Sequence, residues 1–253
     1  MKIVTFNIRC DYGQDGPNNF CFRQPLILRR LAAEKPDVIG FQEVLPHVQR
    51  WLREALPGYT VVGCGRGADY QGEAMTLAVR NETAELLDWR TFWLSPHPDV
   101  PGSRYQDQSE CPRTCADAIL YLRAEGRALR VYNTHLDHLS ASARAKGLHR
   151  ILERMQAERR PLALPAVLMA DFNAEPGAPE LAALQKDGCA LRDAAAAVPL
   201  TFHGYGLGCE PQQKIDYLFT SPELRVLACR AWTDEENGVY LSDHYPLCAE
   251  LAL

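Results

Sequence analysis

A series of polar side chains in this sequence follows or ends apolar runs, where an unpaired charge would be costly to bury. The series consists of Asn7, Glu43, His135, Asp171, Asn173, Asp216, Asp243 and His244. Carboxylates in such positions need hydrogen-bond donors, a metal ion or a cationic partner. Oxygen ligands without grouped thiols suit Mg²⁺ or Mn²⁺ better than a structural zinc. The series therefore predicts a divalent-metal site built from distant parts of the chain.

Taken singly, most of these residues also have ordinary structural explanations. Asn7 could belong to a turn or a strand end, and Glu43 could simply face the solvent. His135 could be a structural histidine, and Asp216 could form a surface ion pair with Lys214. Asp171 and Asn173 are more informative, because alternate residues at a strand end point to the same side. The prediction of a site depends on the joint occurrence of these residues.

The elements that would position these groups can be predicted from hydrophobic periodicity. Short β-branched or aromatic runs that end in polar residues predict strands at 3–8, 38–44, 74–79, 128–135, 166–173 and 215–220. Apolar residues at helical spacing predict a helix over 48–56, which Pro57-Gly58 ends, and a second over 143–155. Ser140 or Ser142 would cap the second helix.

Two segments rich in Pro or Gly predict long surface loops, at 93–114 and 201–213, and both are candidates for shaping a pocket. Helices and strands alternate early, whereas the last third is rich in strands. We therefore expect an α/β (α+β) fold in which two mixed sheets stack with helices outside. A length of 253 residues without a linker or repeat predicts one domain over 1–253.

Composition limits the class of partner and the compartment. A net charge of -5 disfavours a broad nucleic-acid-binding face. The nine cysteines are odd in number and form no paired CxxC, and the first residues lack the features of a secretion signal, so we expect free thiols in a reducing cytoplasm. No apolar stretch approaches 18 residues, and we expect no membrane contact.

The ordered series of motifs resembles the endonuclease/exonuclease/phosphatase superfamily. The motifs are Thr5-Phe6-Asn7, Phe41-Gln42-Glu43, Asn133-Thr134-His135-Leu136-Asp137, Ala170-Asp171-Phe172-Asn173, Lys214-Ile215-Asp216-Tyr217 and Ser242-Asp243-His244-Tyr245-Pro246. Each motif is weak alone, but their order and spacing match over a chain of the family's usual size. The resemblance implies a four-layer α/β/β/α sandwich and hydrolysis of a phosphate ester with Mg²⁺ or Mn²⁺.

The resemblance also implies roles for the metal and water sites. Glu43 would be the main metal ligand, helped by Asn7 and Asp243. Asp171 would orient or deprotonate the attacking water, and Asn173 would hold a phosphoryl oxygen. A bound cation would offset the negative charge that in-line attack places on the phosphate oxygens.

The two motif histidines would face the phosphate and stabilise charge in the transition state. The resemblance pairs His244 with Asp216 and makes Glu73 the candidate partner of His135. A carboxylate beside an imidazole raises the imidazole pKa. We therefore expect both histidines to be cationic near neutral pH.

Within the superfamily the sequence is most similar to small bacterial nocturnin-like proteins, some of which act on sugar phosphates. The supporting segments lie at 11–23, 63–73, 92–95, 111–114 and 201–204. Phe20 and Cys115 stand where these relatives tend to carry Trp, so the pocket wall should differ. Arg23, Arg66 and Arg113 are candidates for binding a phosphate or carboxylate, although each could equally be a solvated surface charge.

These observations favour a monomeric phosphoesterase that acts on a small soluble substrate such as a sugar phosphate. A nuclease that uses the same centre on RNA or DNA is the alternative, which the scarcity of basic clusters disfavours. A non-catalytic binding protein would have lost metal or imidazole residues, and the sequence retains them.

Overall fold

The computed structural model describes residues 1–185, 191–208 and 211–253. These residues form two six-stranded β-sheets, a two-stranded hairpin and the helices that cover the sheets. Cys189 and Cys209 lie outside the described residues, as does part of the predicted loop at 201–213.

The first sheet has its strands in the spatial order β11 (Arg225–Ala231), β14 (Leu247–Ala252), β1 (Lys2–Asn7), β2 (Val38–Val44), β4 (Ala74–Arg80) and β3 (Tyr59–Val62). Strands β1 and β2 are parallel, and the other neighbours are antiparallel. The sheet is therefore mixed.

The second sheet has the order β5 (Ala84–Trp93), β6 (Thr114–Leu122), β7 (Arg127–His135), β8 (Ala166–Asp171), β10 (Asp216–Thr220) and β9 (Arg192–Asp193). Its only parallel pair among the described strands is β7 with β8. The hairpin consists of β12 (Glu235–Glu236) and β13 (Val239–Tyr240).

The helices are α1 (Phe20–Glu34), α2 (Pro46–Ala55) and α3 (Ala141–Arg159), and short 3-10 turns occur at Gly16–Asn18, Pro179–Gln185 and Gly204–Gly206. Helix α3 begins at the predicted cap, because the Ser140 hydroxyl accepts a hydrogen bond from the Ala143 N–H at 3.1 Å. This contact satisfies one of the N–H groups that a helix start leaves unpaired.

Alternation along the strands creates three apolar layers. A cluster between the sheets contains Ile3, Val38, Leu77, Val131 and Met169. A cluster on the outer face of the first sheet joins Phe6 and Phe41 to Ile27 of α1 and Val48 of α2. A cluster on the outer face of the second sheet joins Tyr132 and Leu168 to Leu148 and Ile151 of α3. The predicted four-layer α/β/β/α sandwich is confirmed.

The predicted strands match β1, β2, β4, β7, β8 and β10 to within about two residues at either end, and the two predicted helices match α2 and α3. Residues 94–113 are all described and contain no helix or strand. The expectation that this segment lies on the surface was only partly right, because Leu94, Gln108, Ser109 and Arg113 are buried.

Candidate active site

Strand register brings the chemistry-bearing residues to one edge of the two sheets. In the second sheet the parallel pairing of β7 and β8 places His135 beside Asp171, and the antiparallel β10 places Asp216 on the other side of Asp171. In the first sheet the pairing of β1 with β2 places Asn7 beside Gln42, so that Glu43 follows at the same edge. Residues more than two hundred positions apart therefore meet.

Asn7 joins the two sheets at the centre of this edge. Its side-chain Nδ2 donates to Glu43 Oε1 and to Asp171 Oδ2, both at 2.9 Å. Its Oδ1 accepts the Arg9 N–H at 2.9 Å, and the Cys10 N–H donates to Glu43 Oε2 at 2.7 Å. The half-buried Glu43 carboxylate and the buried Asp171 carboxylate thus converge on one donor atom, and the Asn7 oxygen, an implied metal ligand, is turned toward the main chain of Arg9.

His244 and Asp216 form the pair that the resemblance implies. His244 Nδ1 lies 2.8 Å from Asp216 Oδ2, and both residues are buried. Burial alone would lower the pKa of His244. The charge and hydrogen bond of Asp216, with the charges of Asp243 and Asp171, outweigh it and raise that pKa to about 10. The His244 imidazole is therefore a cation near neutral pH.

The environment of His135 differs from the prediction. Its Nε2 lies 2.8 Å from Asn173 Nδ2, which also donates to the Leu136 carbonyl at 3.1 Å. Its Nδ1 is buried without a hydrogen-bond partner among the described residues. Burial, reinforced by the charge of Arg113, lowers the pKa of His135 well below its ordinary value. Asp171 Oδ2 lies 3.5 Å from His135 Nε2 and the charge of Glu43 acts in the opposite direction, but burial has the larger effect on the pKa. The expectation that this histidine is cationic is corrected for that reason.

Glu73 does not pair with His135. Its carboxylate binds Arg66, with Arg66 Nη2 2.8 Å from Glu73 Oε1, and the Arg66 N–H donates to the Glu73 carbonyl. The loop that carries both residues closes on itself in this way. Glu73 lines the pocket, but the structure corrects its predicted role as the partner of His135.

The three candidate arginines have different surroundings. Arg23 is fully buried and donates to the carbonyls of Ile8, Asn18, Leu241 and Arg9, so its guanidinium faces the main chain and not the pocket. The prediction that Arg23 binds substrate is corrected for this reason. Arg113 lines the pocket with 4% of its surface exposed. Its Nη2 lies 2.8 Å from His138 Nδ1, and its Nε and Nη1 have no hydrogen-bond partner in the described parts of the chain.

Asp243 is engaged by a residue that the sequence interpretation missed. Arg9 Nη1 lies 3.2 Å from Asp243 Oδ2, and the Ser242 hydroxyl donates to Asp243 Oδ1 at 3.0 Å. The only sequence signal for Arg9 is its position two residues after Asn7. The contact is made from a left-handed backbone conformation, with φ of 63° at Arg9.

Glu43 and Asn173 share this left-handed conformation, with φ of 62° and 48°. Such angles cost non-glycine residues about 1 kcal/mol or more and persist where neighbouring contacts fix them. In β2 the register with β4 shifts between Phe41 and Val44, so that Glu43 leaves the ladder and turns toward Asn7.

These residues surround a pocket of about 320 Å³. Its lining includes the carboxylates of Glu43, Asp171 and Asp243 and both motif histidines. Three arginines, Arg9, Arg66 and Arg113, and the side chains of Phe202, Gln213 and Ile215 also line it. Ligand atoms of Glu43, His135 and Asp171 lie within 4.8 Å of one another, as do those of Asp171, Asp216 and His244, and either spacing suits a metal ion. Apart from Arg23, every predicted site residue lies at this edge of the sheets.

The model of the endonuclease/exonuclease/phosphatase family matches residues 4–244 of the chain. The chain belongs to this family. A family member from Bacteroides vulgatus is 32% identical and superposes with a TM-score of 0.91, covering 100% of this chain and 98% of its own. A mannosyl-6-phosphatase from Bacteroides thetaiotaomicron is 27% identical, with a TM-score of 0.89 and full coverage of both chains.

The human Nocturnin catalytic domain is 19% identical with a TM-score of 0.78, and covers 100% of this chain and 93% of its own, which shows a shared fold. No curated protein matches the chain in sequence. Membership of the family agrees with a hydrolase that acts on phosphate esters. None of the helices within the described ranges has the length and apolar character needed to cross a bilayer.

Proposed function

We propose that the chain is a divalent-metal-dependent phosphomonoesterase that acts on a small soluble phosphate ester such as a sugar phosphate. The observation that carries this proposal is the meeting of the Glu43 and Asp171 carboxylates, each 2.9 Å from Asn7 Nδ2, beside the His244–Asp216 pair. The similarity to a mannosyl-6-phosphatase over the full length of both chains supports the choice of a sugar phosphate.

The donor set fits Mg²⁺ or Mn²⁺, because the converging groups are carboxylate oxygens with imidazole nitrogen nearby. Burial and the charge of Asp216 raise the pKa of Asp171 to about 7, so the pocket holds negative charge that its own residues do not fully compensate. A divalent ion would compensate that charge, and Glu43 would be its main ligand. When bound, such an ion polarises a phosphoryl oxygen and stabilises the charge that develops on it.

Asp171 would orient the attacking water and accept its proton. Burial raises the pKa of this carboxylate, which makes it a stronger proton acceptor than an exposed aspartate. The Asn173 N–H donates to Asp171 Oδ1 and Asn7 Nδ2 donates to Asp171 Oδ2, both at 2.9 Å, and these two contacts fix the carboxylate.

His244 would stabilise the negative charge that develops on the phosphoryl oxygens, because it is a buried cation whose orientation Asp216 fixes. His135 is neutral, and Asn173 fixes its ring. Both Nδ2 hydrogens of Asn173 have acceptors in the protein, so Asn173 would act by positioning His135 and Asp171 rather than by holding a phosphoryl oxygen.

Arg113 would bind the substrate phosphate, since its guanidinium lines the pocket, makes a hydrogen-bond contact with His138 and lies 3.8 Å from the Asp137 carboxylate, which leaves room for a closer anion. Arg66 is already neutralised by Glu73 and would contribute at the pocket rim. A pocket of about 320 Å³ and a net charge of -5 favour a small substrate over a polynucleotide. The described cysteines are all free, which supports a cytoplasmic location.

A phosphate-release assay with Mn²⁺ tests this proposal. Mannose 6-phosphate, other sugar phosphates and nucleotides would be compared with a single-stranded RNA oligonucleotide, with Asp171→Asn as the blank. We expect the largest kcat/KM on a sugar phosphate and none in EDTA. Cleavage of the oligonucleotide is followed on a gel, because a nuclease releases no inorganic phosphate, and faster cleavage there would establish a nuclease instead. Absence of both phosphate release and oligonucleotide cleavage would favour a binding protein.

A further inference from the structure

Arg9 contacts two of the three residues that the family resemblance implies as metal ligands. Its N–H donates to Asn7 Oδ1 at 2.9 Å, and its Nη1 binds Asp243 Oδ2 at 3.2 Å. Arg9 thus binds the Asn7 oxygen through its main chain and an Asp243 oxygen through its side chain. Arg9 holds both contacts from a left-handed backbone conformation, with φ of 63°.

The guanidinium of Arg9 is itself firmly held. Its Nε and Nη2 each lie 3.1 Å from one oxygen of Asp15, in the two-point geometry that suits a carboxylate. Asp15 and Asp243 are buried, with side-chain exposures of 8% and 5%. Arg9 therefore bridges two buried carboxylates at the pocket wall, and the charge of Glu43 acts on it as well.

A fixed cation in this position disfavours a second metal ion. An ion bound between Glu43 and Asp243 would have to share Asp243 with the guanidinium and would experience its positive charge at short range. Two groups of described side chains have atoms spaced for one ion, Glu43 with His135 and Asp171, and Asp171 with Asp216 and His244, and neither includes Asp243. The groups share Asp171, and in the second His244 Nδ1 is already bound to Asp216 Oδ2 at 2.8 Å, which favours a single ion beside Glu43.

We infer that Arg9 acts as a built-in cation in place of a second metal ion and limits this pocket to one divalent ion. This inference rests on the proposed metal dependence. Arg9 is a positioning residue in this account, because it acts through Asn7 and Asp243. Asp243 then belongs to the Arg9 contact and not to the metal ligands.

Calorimetric titration of the protein with Mn²⁺ tests the inference without measuring activity. The wild-type protein should bind one ion. Glu43→Gln should weaken the affinity for Mn²⁺ by at least about 100-fold. Asp243→Asn should change that affinity by less than about 10-fold, which is the smallest loss typical of removing a residue that supports a metal ligand. Two ions in the wild-type protein, or equal losses in the two variants, would overturn the inference.

Arg9→Gln tests the same point in the opposite direction. The substitution leaves Asp15 and Asp243 without their cation, and we expect a second Mn²⁺ to bind beside Asp243. This second binding event should be absent in the Arg9→Gln/Asp243→Asn double variant. Arg29→Gln is the matched control, because Arg29 is exposed and pairs with Glu236. Circular dichroism checks that each variant is folded.

Binding of only one Mn²⁺ ion by Arg9→Gln would refute the inference that Arg9 excludes a second ion. A wild-type protein that binds no Mn²⁺ would overturn both this inference and the proposed function. A wild-type protein that binds two ions would overturn only the inference.

Discussion

The Asp216–His244 pair predicts a stability change with a defined pH dependence. Asp216→Asn keeps the shape of the side chain but removes the charge 2.8 Å from His244 Nδ1. Breaking a buried ion pair typically costs about 3 to 5 kcal/mol. Relief of the repulsion between Asp216 and Asp171 offsets part of this loss, so we expect about 3 kcal/mol at pH 6.5.

The sign of the pH dependence follows from the pKa of His244, which is about 10 in the folded protein against an ordinary value of 6.5. A histidine whose pKa is raised by folding stabilises the folded protein fully at a pH below its pKa in the unfolded chain. This stabilisation is lost as the pH rises through its pKa in the folded protein. Between these limits the contribution falls by about 1.4 kcal/mol per pH unit. The difference between wild type and Asp216→Asn should therefore shrink to about 1 kcal/mol or less by pH 10.

Urea unfolding in EDTA at pH 6.5 and pH 10 measures this difference without any contribution from metal binding. Glu180→Gln is the matched control, because Glu180 is a well-shielded carboxylate that pairs with an arginine, Arg144, and not with a histidine. Its effect should be the same at both pH values. A loss in Asp216→Asn that is equally independent of pH would refute the assignment of a raised pKa to His244.

Three further predictions concern packing, acid stability and substrate binding. Gly40→Ala should lower the free energy of unfolding by about 1 to 3 kcal/mol, because its Cβ would lie 2.9 Å from the Asn133 side chain. The control Gly58→Ala, whose Cβ would have no atom within 4 Å, should change that free energy by less than about 0.5 kcal/mol. Equal effects of the two substitutions in thermal unfolding would contradict this prediction. Burial and the charge of His244 lower the pKa of His203 to about 4, so the wild-type protein should lose stability as the pH falls from 6.5 to 4.5. Urea unfolding at pH 7.5 and 4.5 should show a smaller loss of unfolding free energy in His203→Phe than in the wild-type protein. Arg113→Met should raise KM for mannose 6-phosphate by about 10- to 100-fold through loss of charged hydrogen bonds, and an unchanged KM would exclude Arg113 from phosphate binding.

The strands that carry the site could be predicted because each one is a short apolar run that ends in a polar residue. Helix α1 could not, for a physical reason. Its buried face runs through Phe20, Arg23, Ile27 and Leu31, so a charged residue interrupts the apolar stripe, and Pro25 lies inside the helix. The carbonyls that satisfy Arg23 come from distant segments, which the sequence does not reveal.

Edge strands were missed for a related reason. Most side chains in the middle of β5 and throughout β11 are exposed or half-buried, so neither strand has a continuous apolar signal. The environment of His135 was mispredicted because it depends on Arg113 and Asn173, which approach from other segments. Sequence spacing identifies residues that share an edge of the sheets, but the partner of each charge is decided by the tertiary packing of loops.

In the proposed reaction, Asp171 at this shared edge activates water against a phosphate ester beside a divalent ion. The most direct test is the rate of phosphate release from mannose 6-phosphate with saturating Mn²⁺ in wild type, Asp171→Asn and the control Asp107→Asn, in which an exposed carboxylate paired with Lys146 is changed. We predict a loss of about 1,000-fold in Asp171→Asn, the scale of general-base catalysis, and no loss in the control. A wild-type rate in Asp171→Asn would contradict the account.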